Sequence, residues 1–250
     1  MNKIKRRNSI VLVIVVIAIF LGGLVFCNFT KLGYILTIRW HGFTEVRENI
    51  FADKSNVDDV NKILSMIDNT NNRLENFWGE LKSSPTIIIA YKEKKLSKLG
   101  YTGSPALTTT YVFNGAHNYV VVSSDGVDLD VLSHELTHAE LHTRIYKDKW
   151  SDKNIIPIWF DEGIAIQNDY REKYNENAWK RVTNQGNNIR NITSLKTDEF
   201  FDSDKEVRIE NYILAKHELY SWINSHGIDE LIHLIEDVNI GSEFQDLYFK

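Results

Sequence analysis

Residues 128 to 146 read as one helix whose buried side carries histidines, and that combination constrains the fold more than any other feature. The stretch LSHELTHAE, residues 132–140, sets His134 and His138 four positions apart. At 3.6 residues per turn, such positions lie about 40° apart on one helix face. Val131, Leu132, Leu136 and Ala139 make the rest of the helix apolar, so it is expected to be buried. Imidazoles buried with it need polar partners. The fold must therefore bring acceptors or a cation to that face. His142 extends the row by another turn, as a merely histidine-rich face also would.

The flanking sequence supplies a scaffold. Apolar residues recur at helical spacing from Val57 to Leu81, as one long helix or two with a break at residues 69–72. TIIIAY after Pro85 is a strand candidate. TTTYVF (108–113) and YVVVSS (119–124), separated by NGAHN, predict a hairpin. After Gly126 helices are expected near 128–146, 160–174, 208–225, 229–238 and 242–249. This order predicts an α+β body: a small mixed β-sheet, within about 45–127, packed on one side of a helical C-terminal lobe, about 128–250.

The run IVLVIVVIAIFLGGLVF, residues 10–26, is uncharged and follows four cations. It predicts an uncleaved, single-pass transmembrane helix within residues 1–30. Leu24-Val25-Phe26 lacks the small residues of a cleavage site, so secretion after signal cleavage is the less favoured alternative. The preceding cations put the N-terminus in the cytoplasm and the body, residues 31–250, outside it. Residues 31–44, with Tyr34, Trp40 and Phe43, are expected to connect the two along the membrane surface or the domain. Cys27 is the sole cysteine, so no disulfide within the chain can form. Phe26 stands where lipidation would need a small residue. The net charge is −5, but the first 31 residues carry five cations and no acid, leaving −10 on the remainder. Such a body gives no reason to expect a nucleic-acid partner.

HELTH matches the helical pattern HExxH, in which two histidines bind zinc and the glutamate is the general base. Zinc lowers the pKa of a bound water toward ~7, and a carboxylate takes its proton as the water attacks a carbonyl. A catalytic zinc wants a third protein ligand, and PIWFDEGIAIQ, residues 157–167, offers Asp161 and Glu162.

HELTH followed by WFDEGIA, with 23 residues between His138 and Glu162, resembles the gluzincin metallopeptidases. Trp159, Glu162, Gly163 and Ala165 match that group's W-x-x-E-G-x-A helix. The likeness is greatest to the bacterial peptidase MA-like domains and more distant to the M1 aminopeptidases. It implies a thermolysin-like catalytic core holding one Zn2+ per chain through His134, His138 and Glu162, with Glu135 as the base and a peptide or protein as substrate. Small Gly163 and Ala165 permit close helix packing. The resemblance also implies an oxyanion donor, a tyrosine on a helix like ENYILAKHELYSWI (210–223), with Tyr212 at the expected place and Tyr220 and Tyr170 as substitutes. Asp169, two turns beyond Glu162, is expected to hold a ligand histidine from behind. In this superfamily an edge strand just before the HExxH helix binds extended substrate, and YVVVSS stands there. GAHN (115–118) is similar to the G-A-M-E-N loop of the aminopeptidases but lacks its glutamate, which favours endopeptidase over aminopeptidase activity. The competing reading is a non-catalytic, peptidase-derived binding module at the cell surface.

Overall fold

The computed structural model describes residues 2–53, 57–101, 103–124, 127–151 and 155–250, and their side chains except those of residues 2–11, 14, 57 and 58. The architecture is α+β. Five strands, β1 (Thr44–Arg47), β2 (Ile50–Ala52), β3 (Thr86–Ala90), β4 (Ala106–Val112) and β5 (Ala116–Ser123), form one sheet in the order β1-β2-β3-β5-β4. The central strands β2, β3 and β5 run parallel, and antiparallel β1 and β4 close the two edges. The sheet is thus small and mixed. β1 and β2, at four and three residues, are too short to register as period-two runs in the sequence.

Two expectations about the sheet are corrected. β5, which contains YVVVS, is not an edge strand: the hairpin turns back so that β4 takes the outer position. The sheet is also covered on both faces. Side chains alternate across a strand, so Ile87, Ile89, Val120 and Val122 enter one core while Ile88, Ala90, Tyr119 and Val121 enter another. Unbroken runs such as IIIA and VVV are the pattern of strands buried on both sides. The first face carries α3 (Val57–Trp78) and α5 (Leu129–Ile145). The second carries α2 (Lys31–Leu36), a 3-10 turn at Ile38–His41 and α4 (Glu93–Lys98). The stretch 31–44 is therefore a structural layer, with Tyr34, Ile35, Ile38 and Phe43 buried in it.

α1 (Asn2–Phe29) contains the apolar run. Among the described residues no helix is long and apolar enough to cross a membrane. The side chains of residues 10, 11 and 14, part of that run, lie outside the described ones.

α3 is one unbroken helix. The helix expected over 160–174 is shorter: α6 (Ile158–Ala165) gives way to a 3-10 turn at Ile166–Asn168, and Asp169 is extended. The Asp169 carboxylate there accepts the Arg171 backbone N–H at 3.1 Å, a local bond that competes with helix continuation. The lobe is completed by α7 (Glu176–Val182), α8 (Thr197–Phe200), α9 (Lys205–His226), α10 (Ile228–Ile240) and α11 (Phe244–Tyr248). α5 runs through its middle, with Leu132, Leu141 and Ile145 fully buried. α6 lies close against α9: a Cβ at Gly163 would stand 2.9 Å from the Ala215 carbonyl oxygen.

Glu140 stands where the pattern of such helices has a hydrophobic residue, and it is buried. Its carboxylate accepts the backbone N–H groups of Lys82, at 2.9 Å, and Ser83, at 2.8 Å, and pairs with Arg144 at 2.7 Å. One charge thereby ties the link from α3 to β3 onto α5, and the Arg144 guanidinium lies over Trp78. Glu140→Ala leaves a largely buried guanidinium unpaired. It is expected to destabilise the fold by about 3–5 kcal/mol, read as a lower urea midpoint at unchanged m-value. A change under about 0.5 kcal/mol, typical of surface substitutions, would refute this role.

Candidate metal centre

α5 and α6 cross so that three side-chain atoms converge. His134 Nε2 lies 3.2 Å from His138 Nε2, and Glu162 Oε2 lies 3.4 Å from the first and 3.5 Å from the second. All three residues are buried. The two Nε2 atoms are within hydrogen-bond distance of each other, with donor and acceptor roles set by the tautomers. Glu162 Oε2 is itself buried with no hydrogen-bond partner. These separations match a tetrahedron. Donor atoms at about 2.0–2.1 Å from a central ion are ~3.3–3.4 Å apart. His134, His138 and Glu162 therefore fit a single divalent metal ion by chemistry and by spacing.

The other ring nitrogen of His138 fixes its tautomer. His138 Nδ1 is 2.7 Å from Asp161 Oδ1, and the second carboxylate oxygen of Asp161 is 3.0 Å from His142 Nε2. His142 Nδ1 in turn meets the Thr110 hydroxyl at 2.7 Å. Asp161 thus lies outside the His134–His138–Glu162 set, although with His138 and His142 it makes a second group close enough to hold an ion. It sits behind His138, accepts from Nδ1–H, and leaves the Nε2 lone pair for the ion. Burial alone would push its carboxyl up, but the His142 and His138 imidazoles outweigh that and hold it well below the usual range. For Glu162 burial also opposes ionisation, and the neighbouring His138 charge, together with the His134 imidazole, brings it down to about 2. His138 is the converse: burial would lower it, and Asp161 and Glu162 raise it well above the usual imidazole value.

Asp169 does less than the sequence implied. Its Oδ2 is 3.8 Å from His134 Nδ1, beyond hydrogen-bond range, and its carboxylate is held by the Arg171 guanidinium. Asp161 stands behind His138 in the expected way, and Asp169 stands behind His134 at the longer distance of 3.8 Å.

Glu135 points to the sheet. Its Oε2 accepts the Thr108 backbone N–H at 2.6 Å, and the Thr108 hydroxyl donates to the Glu135 carbonyl at 2.8 Å. Thr108 belongs to the edge strand β4, so that edge runs directly past the carboxylate. Thr110 donates to Asn118 Oδ1 at 2.6 Å, and Asn118 Nδ2 donates to the Ala139 carbonyl at 2.9 Å, fixing β4 and β5 on α5.

Tyr212 lies beside the cluster, its ring 6.4 Å from that of His134 and packed against Phe200 and Tyr174. Burial, then the nearby Glu162 charge, raises its phenol far above the usual value, so it stays a proton donor. Tyr174 is buried next to it and is pushed up to about 12 for the same first reason. The two substitutes are elsewhere: Tyr170 is exposed beneath the Arg73 guanidinium, and Tyr220 is exposed on α9. No family model matches the chain, and no curated protein matches it.

Sequence reasoning did not find the bracing contacts of Asp161 and His142, and it missed Thr108 and Thr110. The first two had a visible signal, since His142 continues the His134–His138 row and Asp161 directly precedes Glu162. The threonines had none, because their partners are distant in the chain. Asp161→Asn is expected to weaken metal binding by about 10–100-fold, measured by competition with a chromogenic chelator. Unchanged affinity would remove Asp161 from the centre. Binding must also displace the proton that the raised His138 retains. Apparent affinity should therefore climb by up to about tenfold per pH unit until His138 is neutral, and a flat pH profile would contradict the protonated state.

Proposed function

We propose that the chain is a zinc-dependent metallopeptidase of the gluzincin type, acting outside the cytoplasm on peptide or protein substrates. One observation carries the reading: three buried donor atoms at 3.2–3.5 Å from one another, with the Glu135 carboxylate on the same helix bonded to the backbone of the outermost strand β4. His134, His138 and Glu162 would hold one zinc ion. Zinc, when bound, supplies Lewis acidity that polarises a carbonyl and lowers the pKa of a water toward ~7.

The chain's own residues supply the rest. An extended substrate adds to the edge of β4 by strand pairing, which aligns its backbone with the site. Glu135 takes the proton of the attacking water at a carboxylate oxygen and passes it to the departing amine nitrogen. Tyr212 donates its phenolic proton in a hydrogen bond to the oxygen on which charge develops. Asp161 keeps His138 in the ligating tautomer, and His142 and Thr110 brace Asp161. Nothing on β4 offers a carboxylate to capture a substrate amino terminus, which favours cleavage within a chain over removal of its first residue. The run 10–26 serves as a single-pass anchor with the N-terminus in the cytoplasm, supported by the exposed apolar side chains along α1.

The test is zinc content and cleavage measured together, on full-length chain purified in detergent without a histidine tag. Parent protein should carry one zinc and cleave a mixed peptide library. Glu135→Gln should retain the metal and lose ~10²–10⁴-fold in rate. Tyr212→Phe should lose ~10²–10³-fold in kcat with metal and KM nearly unchanged. Equal cleavage by pure Glu135→Gln protein would sink the mechanism, and absence of zinc from folded parent protein would sink the assignment.

A further inference from the structure

Consecutive residues of β4 point to opposite faces of the sheet, and they meet very different neighbours. Thr108 reaches Glu135, on the α5 side. Thr109 reaches the other side, where its hydroxyl accepts the Lys31 ammonium at 2.5 Å. Lys31 is only two residues beyond Phe29, the last residue of α1. The edge strand thus joins the proposed base to the point where α1 ends, with one side chain on each side.

That junction has no slack. Thr30 alone separates α1 from α2, and its hydroxyl accepts the Gly33 backbone N–H at 2.9 Å. α2 folds back so tightly that a Cβ at Gly33 would collide with the Phe26 carbonyl oxygen. Tyr34 and Ile35 then lock α2 into the core under the sheet. From α4, the Lys98 ammonium reaches the Asn28 carbonyl at 3.4 Å and lies over the Phe29 ring. The body is therefore fastened to the end of α1 at several points.

What surrounds α1 follows from its surface. Leu12, Val16, Ile19, Phe20, Leu21 and Val25 are all exposed, on every side of the helix. A helix apolar all round needs an apolar medium. At its end Phe29, Leu36 and Trp40 are exposed as well, at 76%, 59% and 79%. Aromatic residues at that level belong to a membrane–water interface.

We infer that the substrates of this site are extended segments of proteins held in the same membrane, cut close to where they leave the bilayer. This rests on the peptidase and anchor readings above. A strand added to β4 passes the exit point of α1 at the distance of one lysine side chain. A segment emerging from the bilayer enters that edge directly, whereas a distant site on a soluble or long-stalked chain must be brought down to the surface first.

The experiment uses the full-length chain in phosphatidylcholine vesicles and one mixed peptide library presented in two ways. Each peptide is joined to a single transmembrane helix by a short or a long spacer. The short one, of about five residues, reaches at most ~18 Å. The long one, of about forty flexible residues, averages ~35 Å. Both confine the peptide to the same vesicle, so the gain from co-localisation is closely matched and height above the bilayer is the main difference. Short-spacer peptides should be cleaved at least ~10-fold faster, and a flexible twenty-residue insert after Thr30 should abolish the preference. Equal rates, or faster cutting on the long spacer, would overturn the inference while leaving the peptidase reading intact.

A second readout does not depend on turnover. Cu2+ in the metal centre should quench a fluorophore on the lipid headgroups, and should not do so in His134→Ala or in the insert variant. A chain that sits in vesicles with Cu2+ bound and leaves the lipid fluorescence unchanged would overturn the inference alone. Failure to bind any metal would bring down the peptidase reading with it, and failure to partition into vesicles would bring down the anchor reading with it.

Discussion

Two neighbouring carboxylates at the first turns of α6 let α5 bury two histidines and partly bury a third. Adjacent helix positions point about 100° apart, so Asp161 and Glu162 approach the same imidazole from different sides. Glu162 faces the Nε2 atoms of His134 and His138, and Asp161 takes Nδ1 of His138 and Nε2 of His142. Removing charged groups from water is costly unless each finds an opposite charge and a hydrogen bond. Here one short helix supplies both acids, and Trp159, Phe160 and Ile164, all fully buried, hold it in place. The α6–α9 contact at Gly163 serves the same arrangement, because it lets α6 lie deep enough for its carboxylates to reach α5.

The chemistry was more legible in the sequence than the scaffold, for a physical reason. A helix brings residues three and four apart onto one face whatever the rest of the chain does. His134, Glu135, His138 and His142 could thus be placed relative to one another from spacing alone, and α6 could be paired with them by resemblance. The sheet depends on contacts between distant segments. The alternation in YVVVSS gives a strand, but not whether that strand is central or at an edge, and β4 took the edge. Residues 31–44 looked like a connection because their apolar residues follow no simple period. Tyr34, Ile35, Ile38 and Phe43 are buried because the sheet's second face had to be covered. Asp169 was assigned from helical spacing over two turns, and the chain leaves the helix before reaching it.

The candidate site also draws on both sides of the sheet, which a helix-centred reading does not anticipate. Thr108 and Thr110 connect the edge strand to Glu135 and, through His142 and Asp161, to His138. Thr109 and Tyr111 look the other way, toward the layer formed by the residues after α1. The converging donor atoms, the Glu135 carboxylate and the strand edge are therefore set by one small group of interlocking contacts.

That division of labour along β4 gives the strand a reading frame. Thr108 and Thr110 bond to α5, and Thr109 between them bonds to Lys31 of α2. A deletion or insertion of a single residue upstream in the strand would exchange the two sets. Thr109 would then face the carboxylate helix, and the Lys31 ammonium would meet a residue suited to histidine. The length of β4, rather than the identity of any one threonine, is the property on which both halves of the molecule agree.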